Sequence, residues 1–256
     1  MQMKKLPVIL IILFTSLSNN IFSQKNSESP RLQSVKTFLR YEVFSRASWN
    51  LHRFTPTDEN YFPKSAEYVV QDMDIYLSNP PKEDGIQEPT DEFNLIKEYQ
   101  NNLKGIFNDL SGSFLYSEKL ELPIHFALFN DKSITLIISS LYIKHTYNTL
   151  ELSSKQRATK VITSYILPSL KEFSKHFTDN KIKYFGIGCV YGSKDFSNDS
   201  ELNTEPEFLA FIVPADIIKK YVDLELTEEA LVKSAEIFLS DRNMVTGLKK
   251  IEITID

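Results

Sequence analysis

The sequence predicts an α+β fold, with a mixed or antiparallel sheet covered by helices. Two observations carry this expectation. Segments of 3.6-residue apolar period alternate with short β-branched runs, and the two kinds come in pairs, not in the strict β-α-β order of a parallel sheet. The composition, 42% hydrophobic and 25% charged over 256 residues, is that of a folded domain and excludes collagen-like and wholly disordered chains.

The elements follow in order. Leu32, Val35, Leu39 and Val43, with Phe38 and Phe44 beside them, give a helix over 31–50 its apolar face, leaving Arg31, Arg40 and Arg46 for solvent. Residues 51–92 carry Pro56, Pro63, Pro80, Pro81 and Pro89 and one apolar cluster at Tyr68-Val69-Val70, which predicts a long irregular excursion with one or two short elements. Phe93, Ile96, Leu103, Ile106 and Phe107 restore helical spacing over 92–110. Residues 122–129 and 133–140 read as a β-hairpin joined by Asn130-Asp131-Lys132.

A long helix is expected over 154–177, where Ala158, Val161, Ile162, Tyr165, Ile166, Leu170, Phe173 and Phe177 repeat at helical period and Pro168 should kink or divide it. Strands are expected at 182–190 and 208–213. Pro214 then opens a helix to Val222, and Thr227 caps another over 228–234. Ile237-Phe238-Leu239 and residues 251–255 read as closing strands. The expected organisation is a single domain over 31–256, or alternatively a helical part over 31–112 packed on a separate sheet domain.

Residues 1–23 hold Lys4 and Lys5, a nine-residue apolar run from Leu6 to Phe14, and a small residue, Ser23, at the end. Nine residues at 1.5 Å rise span less than half of a ~30 Å hydrocarbon core, so this pattern predicts a cleaved signal peptide over 1–23, with residues 24–30 a disordered linker. The expected location is outside the cytoplasm, periplasmic or secreted. Without its leader the chain carries a net charge of −7, against −5 for the whole sequence, and has no basic stripe, which argues against nucleic-acid partners. No transmembrane segment is expected in the mature chain. The one cysteine, Cys189, lies in an apolar run and reads as a buried thiol, so no disulfide is expected.

Several catalytic signatures are missing: there is no H-E-x-x-H, no G-x-S-x-G and no Gly-Lys pair of a phosphate loop. The spacing Gly186-x-Gly188-x-x-x-Gly192 superficially resembles a dinucleotide fingerprint. Its surroundings stay strand-like, however, and no helix follows to receive a pyrophosphate. The expected role of these glycines is close packing of a neighbour, such as the preceding long helix. Asp72-Met73-Asp74 would suit a metal-bound diphosphate only in a setting this sequence does not otherwise supply. Four histidines, His52, His125, His145 and His176, give no metal site with a third ligand that spacing can place.

The most site-like residues stand where apolar strands end. Tyr191, Lys194 and Asp195 leave one strand, and Asp241 and Arg242 follow another. If the strands are neighbours, Lys194 and Arg242 can hold an anion that the aspartates orient. These five residues are the candidate binding cluster. No cofactor is predicted. Calcium at the loop from Asp195 to Glu201 is a weak alternative, because Ser200 and Pro206 stand where a calcium loop needs glycine and glutamate.

The function expected from all this is non-catalytic binding of a small molecule or an envelope protein. The alternatives are an exported hydrolase using paired carboxylates, Asp195 and Asp241, or a structural or assembly factor of the envelope.

Overall fold

The computed structural model describes residues 63–64, 66–79, 91–110, 115–117, 123–128, 134–178, 180–197, 204–240 and 249–255. All of them belong to one compact unit, 36–256. The architecture is α+β, as the sequence predicts, around a mixed sheet that does not close. The helix expected over 31–50 lies outside the described residues.

Strand β1 (Pro63–Lys64) precedes helix α1 (Ala66–Ser78), which is the structure hidden in the proline-rich excursion. No proline falls inside it, and Val69 and Met73, one turn apart, are buried. Helices α2 (Asp91–Glu98) and α3 (Gln100–Leu110) form the expected helical stretch. They join almost without a break, since the Tyr99 amide donates to the Leu95 carbonyl and the Leu103 amide to the Tyr99 carbonyl, both at 2.9 Å.

Strand β2 (Leu115–Ser117) leads to the predicted hairpin, β3 (Ile124–Leu128) and β4 (Ile134–Asn148), with Leu128 opposite Ile134. Strand β4 runs eight residues past the expected end at Ser140, because Leu141, Ile143 and Tyr147 keep burying themselves against the core.

The crossover from β4 comprises α4 (Ser154–Val161), a π-helical segment (Ile162–Ile166) and α5 (Leu167–His176). Ser153 caps it through a reciprocal bond with Gln156. The kink expected at Pro168 takes the form of that wider turn: the Leu167 amide reaches back five residues to the Ile162 carbonyl. Proline lacks a donor and its ring collides with the carbonyl four residues earlier. One extra residue in the turn accommodates both defects and leaves Pro168 in the first turn of α5, where a donor is not needed.

Strand β5 (Ile182–Lys194) returns parallel to β4, the one parallel pairing among the described strands, in a sheet ordered β1-β2-β4-β5-β6-β7-β8, with β3 also on β4. Strand β6 (Glu205–Pro214) runs antiparallel to β5 and passes through α6 (Ala215–Val222) and α7 (Glu228–Ser234, capped by Thr227) into β7 (Glu236–Ser240) and β8 (Lys249–Ile251). The last strand is shorter than expected: pairing stops at Ile251, although Ile253 is still buried.

Alternation along β5 divides the sheet's two faces. Phe185, Ile187, Cys189 and Tyr191 join the core shared with Val161, Ile166, Leu170 and Phe173 of the crossover and with Leu103, Ile106 and Phe107 of α3. Ring contacts between Phe173 and Phe185 at 5.0 Å, and between Phe177 and Phe185 at 5.5 Å, tie the end of α5 to the sheet. The opposite face is buried too, through Ile137, Val190, Phe208, Ile212 and Phe238. It is here that Gly186 matters: an added Cβ would stand 3.0 Å from Ile137 Cγ1 and 3.3 Å from Ile212 Cγ1. The close neighbours of this glycine are therefore strand side chains on the far face, not the long helix.

Candidate functional site

The five predicted residues do not share one described surface. Tyr191 is fully buried, with its ring edge-on to Tyr147 at a centroid distance of 5.6 Å. Its hydroxyl makes no hydrogen bond of normal geometry and lies beside the Glu207 carboxylate. Burial and that negative charge push its pKa upward. Three residues on, Lys194 falls on the opposite parity of the strand, half-buried, with its ammonium 6.0 Å from the centroid of the Phe196 ring. Asp195 turns back on its own chain: Oδ1 accepts from the Ser197 amide at 2.9 Å and from the Ser197 hydroxyl at 2.6 Å, which holds its carboxyl below the usual range. Asp241 and Arg242 lie outside the described residues, as do Asp199 and Glu201 of the calcium alternative.

Next to Tyr191 is an arrangement that spacing could not reveal. Arg157, in the first turns of α4, donates from Nε at 3.0 Å to Glu207 Oε2 and from a second guanidinium nitrogen to Oε1. It also donates to the Leu152 carbonyl. Both side chains are less than a tenth exposed. Burial opposes the guanidinium charge, but the bonds to Glu207 and its charge outweigh it and raise the Arg157 pKa. This pair anchors the crossover to β6.

An opening lies at the other end of the same elements. A cleft of about 340 Å³ separates the end of α5, the start of β5 and the first turns of α6. Phe177, Ile182, Phe185 and Ile218 are its large apolar residues, and Lys183, Asp216, Lys219 and Asp223 its charged ones. The residues follow from the topology: β5 begins where the crossover helix ends, and Pro214 turns β6 directly into α6 alongside. Lys183 and Lys219 form no ion pair among the described residues, and Asp216 makes a loose, exposed one with Lys220 at 3.8 Å. The described members of the predicted cluster, Tyr191, Lys194 and Asp195, do not line this cleft. The signal available in the sequence was the apolar pair Phe177 and Ile182 separated by a short polar turn.

A second polar group joins α3 to α5. His176 Nε2 is 2.7 Å from Asp109 Oδ2, and Lys175 Nζ is 2.7 Å from the same oxygen and 3.4 Å from Glu172 Oε2. The hydrogen bond from Lys175, then that from His176, lowers the Asp109 pKa to about 2. The spacing Glu172-x-x-x-His176 was legible as one helix face; its partner Asp109, 67 residues from His176, was not.

The other sequence candidates have local roles. Met73 is buried in α1, and Asp74 Oδ1 and Oδ2 accept from Gln100 at 2.7 Å and Lys104 at 3.0 Å, so the Asp72-Met73-Asp74 triplet is part of the packing of α1 on α3. Cys189 is fully buried and burial drives its thiol pKa well up, as expected of an unreactive thiol. His145 is exposed and packs edge-on to Tyr147 at 4.5 Å. Among the described residues no helix is long and apolar enough to cross a membrane. Comparison with known proteins returns no match, whether to a protein family, a curated protein or a solved structure.

Proposed function

We propose that the protein is a non-catalytic, exported binding protein, periplasmic or secreted, that takes a small amphipathic molecule bearing an anionic group. The observation that carries this reading is the cleft between α5, β5 and α6. Its volume of about 340 Å³ is that of a small-ligand site, with an apolar floor to exclude water and a rim of polar and charged side chains to orient a guest. Lys183 and Lys219 form no ion pair among the described residues and offer two cations to an anionic group at one end of the ligand, while Asp216 and Asp223 in the same lining balance their charge. The leader pattern of residues 1–23 supports export.

The test is a thermal-shift screen of the protein against small carboxylates, phosphates, sugars and short peptides. Amphipathic anions are expected to raise Tm, by mass action on the folded state, and neutral sugars are not. Ala215→Trp, which fills the cleft, and Lys219→Glu should each remove the shift. A screen in which no anion stabilises the protein overturns the binding role. N-terminal sequencing of protein from its native host should find a chain starting near Gln24, and an intact Met1 overturns export.

A further inference from the structure

Asn102, Gly105 and Asp109 lie on one stripe of α3 that faces the last turn of α5. Glycine in mid-helix costs about 1 kcal/mol relative to alanine, so its presence there calls for a packing reason. That reason is His176. A Cβ on Gly105 would overlap the imidazole at Cε1, so the ring rests directly on the α3 backbone. Asn102 Nδ2 donates to the His176 carbonyl and holds the end of α5 in place. Seated in this way, the ring directs Nε2 at Asp109, one turn further along α3. Glu172, one turn before His176 on α5, brings the third group. Ligand atoms of Asp109, Glu172 and His176 all lie within 4.8 Å of one another.

We propose that Asp109, Glu172 and His176 form a binding site for a divalent transition-metal ion of the zinc class, and that Lys175 is its built-in competitor. Two features independent of each other carry this. The first is the Gly105 and Asn102 seat, which fixes the imidazole with Nε2 toward Asp109 before any ion arrives, so that the ion has only to displace the shared proton. The second is that the two carboxylates already share a cation, the Lys175 ammonium, 2.7 Å from Asp109 and 3.4 Å from Glu172. The Lys175 side chain is 61% exposed and swings into solvent without loss of packing. One imidazole with two carboxylates suits zinc and its neighbours, whereas calcium and magnesium prefer oxygen throughout. Ligands about 2.0–2.2 Å from a tetrahedral ion stand roughly 3.3 Å apart, a spacing these atoms reach through small side-chain rotations. The site opens to solvent on one side, so water takes the fourth position. The bound ion clips α3 to α5 on the same helix end whose other side borders the cleft.

The experiment uses the full chain, stripped of metal with a chelator and titrated with Co²⁺, whose visible absorption reports an ordered site, followed by competition with Zn²⁺, Mg²⁺ and Ca²⁺. One Co²⁺ per chain should bind and yield to Zn²⁺ but not to Mg²⁺ or Ca²⁺. His176→Ala and Asp109→Asn should each weaken binding by more than about 100-fold, beyond the roughly 10–100-fold that loss of an outer-shell partner costs. Lys175→Ala, an exposed position that leaves folding intact, should tighten binding severalfold. Absence of a saturable Co²⁺ spectrum, equal binding by wild type and His176→Ala, or no tightening in Lys175→Ala overturns the proposal. Because Ala215→Trp fills only the cleft, it should leave Co²⁺ binding unchanged, which separates this site from the ligand site.

Discussion

Arg157 on α4 and Glu207 on β6, 50 residues apart in the chain, form a two-pronged ion pair buried in the core beside Tyr191. Two charges removed from water are stable only together, so the pair fixes where the crossover helix sits on the sheet. Arg157→Met alone leaves Glu207 as an unpaired buried charge and should cost about 3–5 kcal/mol. The double variant Arg157→Met/Glu207→Leu should recover most of that loss. Urea denaturation of the three proteins at pH 7 checks this, and additive losses would show that the pair does not act as a unit.

The seat between Gly105 and His176 makes a prediction whose sign reverses. In the wild-type background, Gly105→Ala forces the imidazole off the helix and should destabilise the fold by about 1–3 kcal/mol. In a His176→Ala background the obstruction is gone, and the same substitution should stabilise by about 1 kcal/mol through helix propensity. A double-mutant cycle by chemical denaturation measures both.

Asp109 gives the fold an acid-sensitive component. Its folded pKa, about 2, lies below the 3.8 of an ordinary aspartate, with the Lys175 hydrogen bond as the largest cause. A depressed carboxylate contributes stability that is present above its unfolded pKa and lost as pH falls through the folded one. The α3–α5 contact should therefore weaken between about pH 4 and pH 2. In Asp109→Asn the denaturation midpoint should fall less over that window. Added salt should shrink the difference, since Lys175 is exposed.

Cys189 should resist thiol reagents. It has no exposed surface, and burial keeps the thiolate form rare. Native protein should leave an aromatic disulfide reagent unreacted for as long as it stays folded, and one equivalent should react at once in denaturant. Rapid native labelling would mean that β5 opens far more readily than its packing implies.

Local patterns made much of the fold legible. The helix cap at Thr227, the β3–β4 hairpin and the turn from β6 into α6 at Pro214 depend on residues within a few positions of one another. The extension of β4 past Ser140 was not legible, because Ser139-Ser140 looks like an ending until Leu141 and Ile143 are seen against the core. Helix α1 was hidden by its proline-rich flanks. In the predicted binding cluster, Tyr191 leaves its strand together with Lys194, yet an odd spacing on a strand sends the two side chains to opposite faces.

The α+β class, the burial of Cys189 and the break at Pro168 follow from local pattern, since period, hydropathy and proline's missing donor act over short distances. Long-range packing is what brings Arg157 to Glu207, rests His176 on Gly105 beside Asp109, and opens a cleft between α5, β5 and α6. These contacts join residues tens of positions apart. Their partners are chosen by how helices seat on the sheet, which no local spacing records.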